Sequence, residues 1–441
     1  MTAIKIYYNN IPGLNLVSRN EGALVWSRST RDLNNNYKNS LFPLLNLLGI
    51  DYTFSKDADS IPFIDVGSLH PSSPEFFSIC EKASNTYKKA VIFSTQEPWQ
   101  WPLVEKILNQ FTNLFLFDTG TPLPNNKIYH ERYGNFPTFL IRHFSPHLHI
   151  TILNSNDVIY RKDYKKMYSC LLARWRPEKH LLFSMLSFNG LTDNGYVTYN
   201  PLLTPHEAEF SLDSTAQQQR IDSFVNNIDI LMPNISGKFK KHICNGLTTF
   251  QPKKLNYDIS IDQAEFEDAT NPRPSVRWFD PTLRAQPKFI YEHSCFSLVC
   301  ESFSGIALGQ GADGLFEPVI TRPLITEKSI TPMLNGHPCL IFGEAGFYST
   351  LEDYGFVAHD ELFDLSFDRC ITHSKRIEAI KDNMCNQDFG KLKQSLWYQM
   401  SETNKKIRHN THNLYHTNSK MWQMVKKDIT NILNRIQDLN V

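Results

Sequence analysis

Two short groups of polar residues stand where an α/β protein could do chemistry. Glu301 and Ser302 directly follow an apolar run, and Thr326, Glu327 and Lys328 open a segment with apolar residues at helical spacing. A lysine at a helix N-terminus reinforces the positive potential there, which suits a phosphate group. A neighbouring glutamate can accept hydrogen bonds from sugar hydroxyls. The alternative interpretation is a surface Glu–Lys pair on the first turn of a helix.

The segments around these residues alternate between strand and helix. Residues 296–300 form an apolar run that predicts a buried strand, and Cys339–Phe342 predicts another. Glu327–Leu334 between them has helical spacing with Thr326 as its N-cap, and residues 347–354 predict a second helix. This order is the βαβ pattern of a parallel sheet. Ligands of such sheets bind outside the carboxyl ends of the strands, near helix N-termini.

The series of motifs resembles the donor-site block of fucosyltransferase-like glycosyltransferases, and most closely that of phage-encoded members. The residues that carry the resemblance follow one another along the chain: Glu301-Ser302, Thr326-Glu327-Lys328, Gly336-His337-Pro338, Gly343, Gly355-Phe356 and His359-Asp360-Glu361. The resemblance covers the C-terminal donor half and one upstream segment, but not the first 90 residues. It implies a UDP- or GDP-sugar as donor. Lys328 would contact the diphosphate, and Glu327 the ribose or sugar hydroxyls. Glu301 and Ser302 would lie near the transferred sugar.

The upstream segment holds two arginines after a predicted strand and before a predicted helix. Arg174 and Arg176 lie in the sequence ARWRPEKH, and the same family carries arginines at such a place, where they bind the donor diphosphate. A guanidinium suits this role because its planar fork binds phosphate oxygens bidentately and keeps its charge. The resemblance does not choose between the two arginines. The alternative is a basic turn that caps a helix.

Length and composition favour a two-domain protein whose net charge creates no strong electrostatic field. The chain has 441 residues, which is long for one core, and its 45 basic and 45 acidic residues cancel. Eight cysteines without a C-x-x-C pair predict buried, reduced thiols and a cytoplasmic protein. A signal peptide is not recognisable, and the apolar runs fall short of the roughly 20 residues of a membrane span.

We therefore expect an α/β fold with two Rossmann-like domains, the GT-B arrangement of the family, with an interdomain cleft and C-terminal helices. Residues 1–160 would form the acceptor-side domain. Residues 161–400 would form the donor domain, with an insertion around 200–290. Residues 401–441 would form a C-terminal helix that crosses back to the first domain.

The expected reaction is transfer of a sugar from a nucleotide diphosphate sugar to an acceptor hydroxyl, without a metal or other cofactor. Asp57-Ala-Asp59 fits the D-x-D by which other glycosyltransferases hold a metal, but a solvated turn is the better interpretation. A catalytic base is needed as well. Glu97 follows a strong predicted strand, and the family places a carboxylate in a comparable loop; Asp65 is the reserve.

The acceptor is left open between two classes. Phage-like character favours a hydroxymethylated pyrimidine in DNA that receives glucose or arabinose, whereas the fucosyltransferases act on glycans. For DNA, the basic residues Lys405, Lys406 and Arg408 are the first choice to contact phosphates, although a solvated helix face is the common meaning of such a run. A third possibility is a non-catalytic nucleotide- or glycan-binding protein on the same fold.

Overall fold

The structure is a computed structural model, and the residues it describes fall into stretches separated by gaps. They are residues 4–7, 15–18, 24–27, 49–50, 52–55, 61–66, 73–93, 101–119, 132–136, 164–172, 176–199, 221–222, 224–251, 253, 288–301, 323, 325–370, 372–398, 401–416 and 418–438. The chain divides into two compact units. The first comprises Met1–Asn154 and Asn413–Val441, and the second comprises Ser155–His412. The predicted roles of the two halves, acceptor side and donor side, stay predictions.

The first unit is built on a sheet of eight strands. They are β1 (Ile4–Tyr7), β2 (Asn15–Ser18), β3 (Leu24–Ser27), β4 (Tyr52–Ser55), β5 (Ile61–Asp65), β6 (Ala90–Phe93), β7 (Leu114–Thr119) and β8 (Tyr133–Phe136). The order is β2-β3-β5-β6-β7-β8, and β1 pairs with both β4 and β5. Only β2 and β3 pair in antiparallel orientation among the described strands.

Helices cover this sheet because its central strands are apolar on both faces. All four residues of β6 are buried, as is typical of parallel strands with helices on each side. Helix α1 (Pro74–Thr86) turns one apolar face to the core through Phe76, Ile79, Cys80 and Ala83, and Ser73 caps its N-terminus. Helix α2 is Trp101–Gln110. The long helix near the C-terminus, Lys420–Asp438, also belongs to this unit.

The second unit contains a parallel sheet of four described strands, β9 (Lys166–Leu172), β10 (Gly195–Tyr199), β11 (Ser294–Cys300) and β12 (Cys339–Phe342). Its described helices are α3 (Pro177–Phe188), α4 (Ile228–Leu231), α5 (Gly237–Thr249), α6 (Lys288–His293), α7 (Glu327–Leu334), α8 (Phe347–Asp353), α9 (His373–Cys385), α10 (Phe389–Trp397) and α11 (Glu402–Tyr415), the last of which continues three residues into the first unit. Helix Lys420–Asp438 is α12. None of the described helices is both long enough and apolar enough to cross a membrane.

The path of the chain through this second sheet reverses between two neighbouring strands. The sheet order is β10-β9-β11-β12. The chain leaves β9 through α3 and reaches β10 on one side, whereas it leaves β11 through α7 and reaches β12 on the other side. Open α/β sheets bind their ligands at such a reversal, outside the carboxyl ends of the two strands. The carboxyl ends of β9 and β11 are therefore the place to look for a site.

The α/β fold class with parallel sheets is confirmed. The predicted strand at residues 296–300 lies within β11, and the predicted helix Glu327–Leu334 and strand Cys339–Phe342 have those bounds in the structure. All eight cysteines are free, as predicted, and five of them are buried.

Candidate functional site

The carboxylate of Glu301 joins the end of β11 to the start of α7. Glu301 is 1% exposed. Its Oε1 accepts hydrogen bonds from Thr326 N at 3.1 Å, Ser329 N at 3.2 Å and Ser329 Oγ at 2.6 Å, and its Oε2 accepts from Thr326 Oγ1 at 2.6 Å. These bonds satisfy backbone amides that a helix N-terminus leaves without intrahelical partners. Glu301 therefore fixes the position of α7 relative to the sheet.

The place near the transferred sugar, which the family resemblance implies for Glu301, stays a prediction. In the structure both of its carboxylate oxygens have protein donors and its side chain is buried. The physical reason is that Glu301 directly follows a strand whose end faces the first turn of α7, so the nearest donors belong to that turn. Ser302 lies outside the described residues.

Thr326 and Lys328 form the first turn of α7 at the same edge of the sheet. Thr326 is the N-cap, as predicted, because its Oγ1 accepts a hydrogen bond from Lys328 N at 3.3 Å. Lys328 Nζ donates to Thr326 Oγ1 at 3.0 Å and lies 3.7 Å from Glu301 Oε2. The Lys328 side chain remains 24% exposed, so its ammonium lies beside a helix N-terminus and reaches the surface. Glu327 is the first residue of α7, and its side chain is outside the described part.

Arg176 stands at the start of α3, after the end of β9. It is exposed, has an extended backbone conformation, and is followed by Pro177 at the first helical position, where a missing N–H costs nothing. Arg174 lies outside the described residues, so its predicted diphosphate contact stays a prediction. The starts of α3 and α7, with Arg176 and Lys328, follow the two strands between which the chain path reverses.

The sequence analysis missed two buried charged residues between these helix starts. Glu178 and Lys179 are 2% and 5% exposed. Burial raises the pKa of Glu178, and the charges of Arg176, Lys179 and Lys328 only partly oppose this. Burial lowers the pKa of Lys179 to about 8, and the Lys328 charge acts in the same direction. Ionisable groups with such shifts cluster at functional sites. The available signal was a Glu-Lys pair at the start of a helical run in which Leu, Phe and Met predominate.

A pH-dependent change in stability is expected from Glu178. Because the pKa of Glu178 is raised in the folded state, its contribution to the free energy of unfolding is complete below its ordinary pKa of 4.5. That contribution is lost as the pH rises through the pKa of the folded state. Glu178→Gln cannot ionise and escapes this loss, which is at most about 1.4 kcal/mol per pH unit. The melting temperature of the variant should exceed that of the wild type at neutral pH, and the difference should shrink on acidification to pH 4.5.

The control for this measurement is Glu378→Gln, which changes a glutamate whose side chain is 69% exposed on α9 of the same unit. Its melting temperature should follow the wild type at each pH. A constant difference between Glu178→Gln and wild type at all pH values would contradict the buried, un-ionised state of Glu178.

The two predicted catalytic bases belong to the first unit. Asp65 is the last residue of β5, and its side chain is outside the described part. Glu97 lies in the gap between residues 93 and 101, as Asp57 and Asp59 lie in the gap between residues 55 and 61. The base therefore stays a prediction. Among the described residues, histidine, cysteine and acidic side chains form no group of three or more that could hold a metal ion.

The predicted DNA-contact residues lie on α11, where Lys406 already has acidic partners. Lys406 Nζ pairs with Glu361 at 2.7 Å and with Asp360, and hydrogen bonding to Lys406 lowers the pKa of Asp360. Lys405 lies 3.8 Å from Glu402 on the same helix. Two carboxylates of the loop against α11 pair with Lys406, and the phosphate contact predicted for it stays a prediction. The contacts predicted for Lys405 and Arg408 stay predictions.

Comparisons of this chain with protein-family models, with curated proteins and with solved structures find no match.

Proposed function

We propose that this protein is a glycosyltransferase that takes a nucleotide diphosphate sugar as its donor, with two Rossmann-like domains of the GT-B type. One observation carries the proposal. The chain path reverses between the neighbouring strands β9 and β11, and each of them is followed by a helix that starts with a cation. Arg176 stands at the start of α3 after β9, and Lys328 in the first turn of α7 after β11. Helix N-termini and fixed cations at such a place favour an anionic ligand. The ordered resemblance to fucosyltransferase-like donor sites selects a diphosphate sugar among anionic ligands.

The chemistry of glycosyl transfer explains why these groups are needed. The sugar ring develops positive charge while the leaving diphosphate gains negative charge. Preorganised cations and backbone amides stabilise that leaving group. In the proposal Lys328 and one of Arg174 and Arg176 contact the diphosphate. Glu301 supports the site by capping α7.

The remaining roles follow the resemblance. Glu327 would bind ribose or sugar hydroxyls, Ser302 would lie near the transferred sugar, and Glu97, with Asp65 in reserve, would activate the acceptor hydroxyl. Phage-like resemblance keeps hydroxymethylated pyrimidine in DNA as the first acceptor to test, with a glycan as the second.

The experiment is a nucleotide-release assay with purified chain. UDP- and GDP-sugars are offered one at a time with hydroxymethylated DNA, unmodified DNA or an oligosaccharide mixture. We expect release of one nucleoside diphosphate, accelerated by one acceptor class. If a nucleotide binds but no combination of donor and acceptor releases it from its sugar, the non-catalytic alternative is favoured. If the chain shows no binding and no release with any of them, the proposal is refuted.

We expect the transfer reaction to proceed in the presence of EDTA. Lys328 and the arginines would neutralise the leaving diphosphate, which is the task of a divalent cation in metal-dependent enzymes. The rate of nucleotide release should be the same with EDTA and with added magnesium or manganese. A strict requirement for either metal would contradict the proposed division of roles and return Asp57 and Asp59 to consideration.

A further inference from the structure

The buried pair Glu178 and Lys179 has no role in the function described above. A carboxyl oxygen of the pair, Glu178 Oε1, is buried and has no hydrogen-bond partner in the part of the chain that the structure describes. Buried polar atoms without partners are rare in native proteins, and each one needs a physical explanation. A ligand that supplies the partner is one such explanation, and the position of the pair supports it.

The pair lies among the groups of the candidate diphosphate site. It occupies the second and third positions of α3, directly after Arg176 and Pro177. Its electrostatic neighbours include Lys328 at the start of α7 and Cys300 at the end of β11. The groups that act on the pKa of the pair belong to α3, α7 and β11, three elements that begin or end at the carboxyl edge of β9 and β11. The pair therefore lies in the first turn of α3, the helix that follows β9.

We propose that Glu178 and Lys179 are a proton-exchanging part of the diphosphate site, where Lys179 takes up a proton on binding and un-ionised Glu178 donates a hydrogen bond to a phosphate oxygen. This inference rests on the proposed function, since it takes the diphosphate of the nucleotide sugar as the ligand. The proton comes from solvent, and no covalent bond changes.

The charges around Lys179 explain why binding should change its protonation. Burial, followed by the Lys328 charge, lowers the pKa of Lys179 to about 8, and the Arg176 charge lowers it further. A bound diphosphate brings negative charge next to the ammonium and raises that pKa again. Above the pKa of the empty site, binding must therefore take up a proton, and affinity must fall as the pH rises.

The same negative charge favours the un-ionised form of Glu178. Burial already raises its pKa against the opposing charges of Arg176, Lys179 and Lys328. A diphosphate nearby raises it further, because two like charges disfavour each other's ionised form. An un-ionised carboxyl can donate to a phosphate oxygen, and such O–H···O⁻ bonds are short and strong. Burial also raises the pKa of the thiols of Cys300 and Cys170, so they stay neutral.

The test is calorimetric titration of the full chain with UDP, GDP, CDP, ADP and dTDP in turn, at about pH 8.5 in two buffers of different ionisation enthalpy. The buffer dependence of the heat gives the number of protons taken up. For the nucleotide that binds, we expect more than about half a proton per site, and an affinity that falls by up to about tenfold per pH unit above pH 8. Lys179→Met should abolish the uptake and flatten the pH profile.

Three further variants complete the experiment. Glu178→Leu should keep the proton uptake and bind more weakly, because its side chain has no hydrogen-bond donor. Glu178→Gln should bind about as the wild type does, because its amide N–H can donate in place of the un-ionised carboxyl. Lys391→Met is the matched control, because Lys391 is an exposed lysine of α10. Lys393 of the same helix lowers the pKa of Cys295, which lies at the amino end of β11, whereas the candidate site is at the carboxyl end. Lys391→Met should behave as wild type.

The outcomes separate this inference from the proposed function. Nucleotide binding by the wild type without proton uptake, or unchanged uptake in a folded Lys179→Met protein, would overturn the inference and leave the nucleotide site in place. Failure of all five nucleotides to bind would overturn the proposed function, and the inference with it.

Discussion

Lys328→Ala should lower the rate of nucleotide release by about 10²–10³ while the protein stays folded. Lys328 is the described lysine that combines a helix N-terminus, a position after β11 and an ammonium that reaches the surface. A charge-assisted contact that strengthens as the leaving diphosphate gains charge is worth roughly 2.7–4 kcal/mol. Because the lost contact acts mainly in the transition state, kcat should fall more than KM rises.

The measurement is steady-state nucleotide release by the wild type, Lys328→Ala and the matched control Lys391→Ala. Lys391 is an exposed residue of α10 in the same unit, so its loss removes one surface charge and no contact of the site. Circular dichroism checks that both variants fold, since Lys328 also contacts Thr326 and lies near Glu301. Normal turnover by folded Lys328→Ala would remove the donor-site assignment.

Glu301→Ala should destabilise the second unit strongly. The substitution removes the acceptor of the Thr326 and Ser329 amides and hydroxyls, all within a buried junction. It also leaves Lys328 without its nearby carboxylate. Removal of one partner from a buried charged network typically costs about 3–5 kcal/mol. Urea denaturation followed by circular dichroism should show the transition of the second unit at a lower urea concentration.

Two further variants serve as comparisons for Glu301→Ala. Glu301→Gln keeps one oxygen acceptor in place and should lose less stability than alanine. Glu378→Ala changes an exposed glutamate of α9 and should stay within about 0.5 kcal/mol of wild type. A stable, inactive Glu301→Ala protein would contradict the capping role and favour a direct part for Glu301 in the reaction, near the transferred sugar as the resemblance implies.

The C-terminal part of the second sheet could be predicted because its local signals agree. Short apolar runs, a threonine before Glu327–Leu334 and glycines at the turns all indicate strand, helix, strand, helix, and the structure has that order. The role of Glu301 could not be predicted, because its partners lie 25 and 28 residues further along the chain. Side-chain spacing within one segment carries no information about such a contact.

Helix α5 shows a different limit of sequence patterns. The sequence predicts residues 200–290 as a polar insertion, and within it the structure has a thirteen-residue helix at Gly237–Thr249. Only Ile243, Gly246 and Leu247 are buried along it, so its apolar period is diluted by lysine, histidine and asparagine. It is stabilised by packing on α3 within the second unit. Tertiary contact, rather than pattern, fixes this element.

The buried state of Glu178 and Lys179 also depends on the assembled sheet. In the sequence they resemble a solvated first turn, because charged residues after a proline at a helix start are usually exposed. Their burial follows from the closeness of α3 to α7 and β11, as their electrostatic coupling to Lys328 and Cys300 shows. Sequence reasoning found the charges at the surface of the candidate site and missed those inside it.

The most direct test of the donor site is a crystal structure of the chain with the nucleoside diphosphate that it releases. We predict that the diphosphate lies at the carboxyl ends of β9 and β11, against the first turns of α3 and α7. Lys328 Nζ and the Arg176 guanidinium should be within hydrogen-bonding distance of its oxygens. A nucleotide bound at any other edge of this sheet, or in the first unit, would contradict the account.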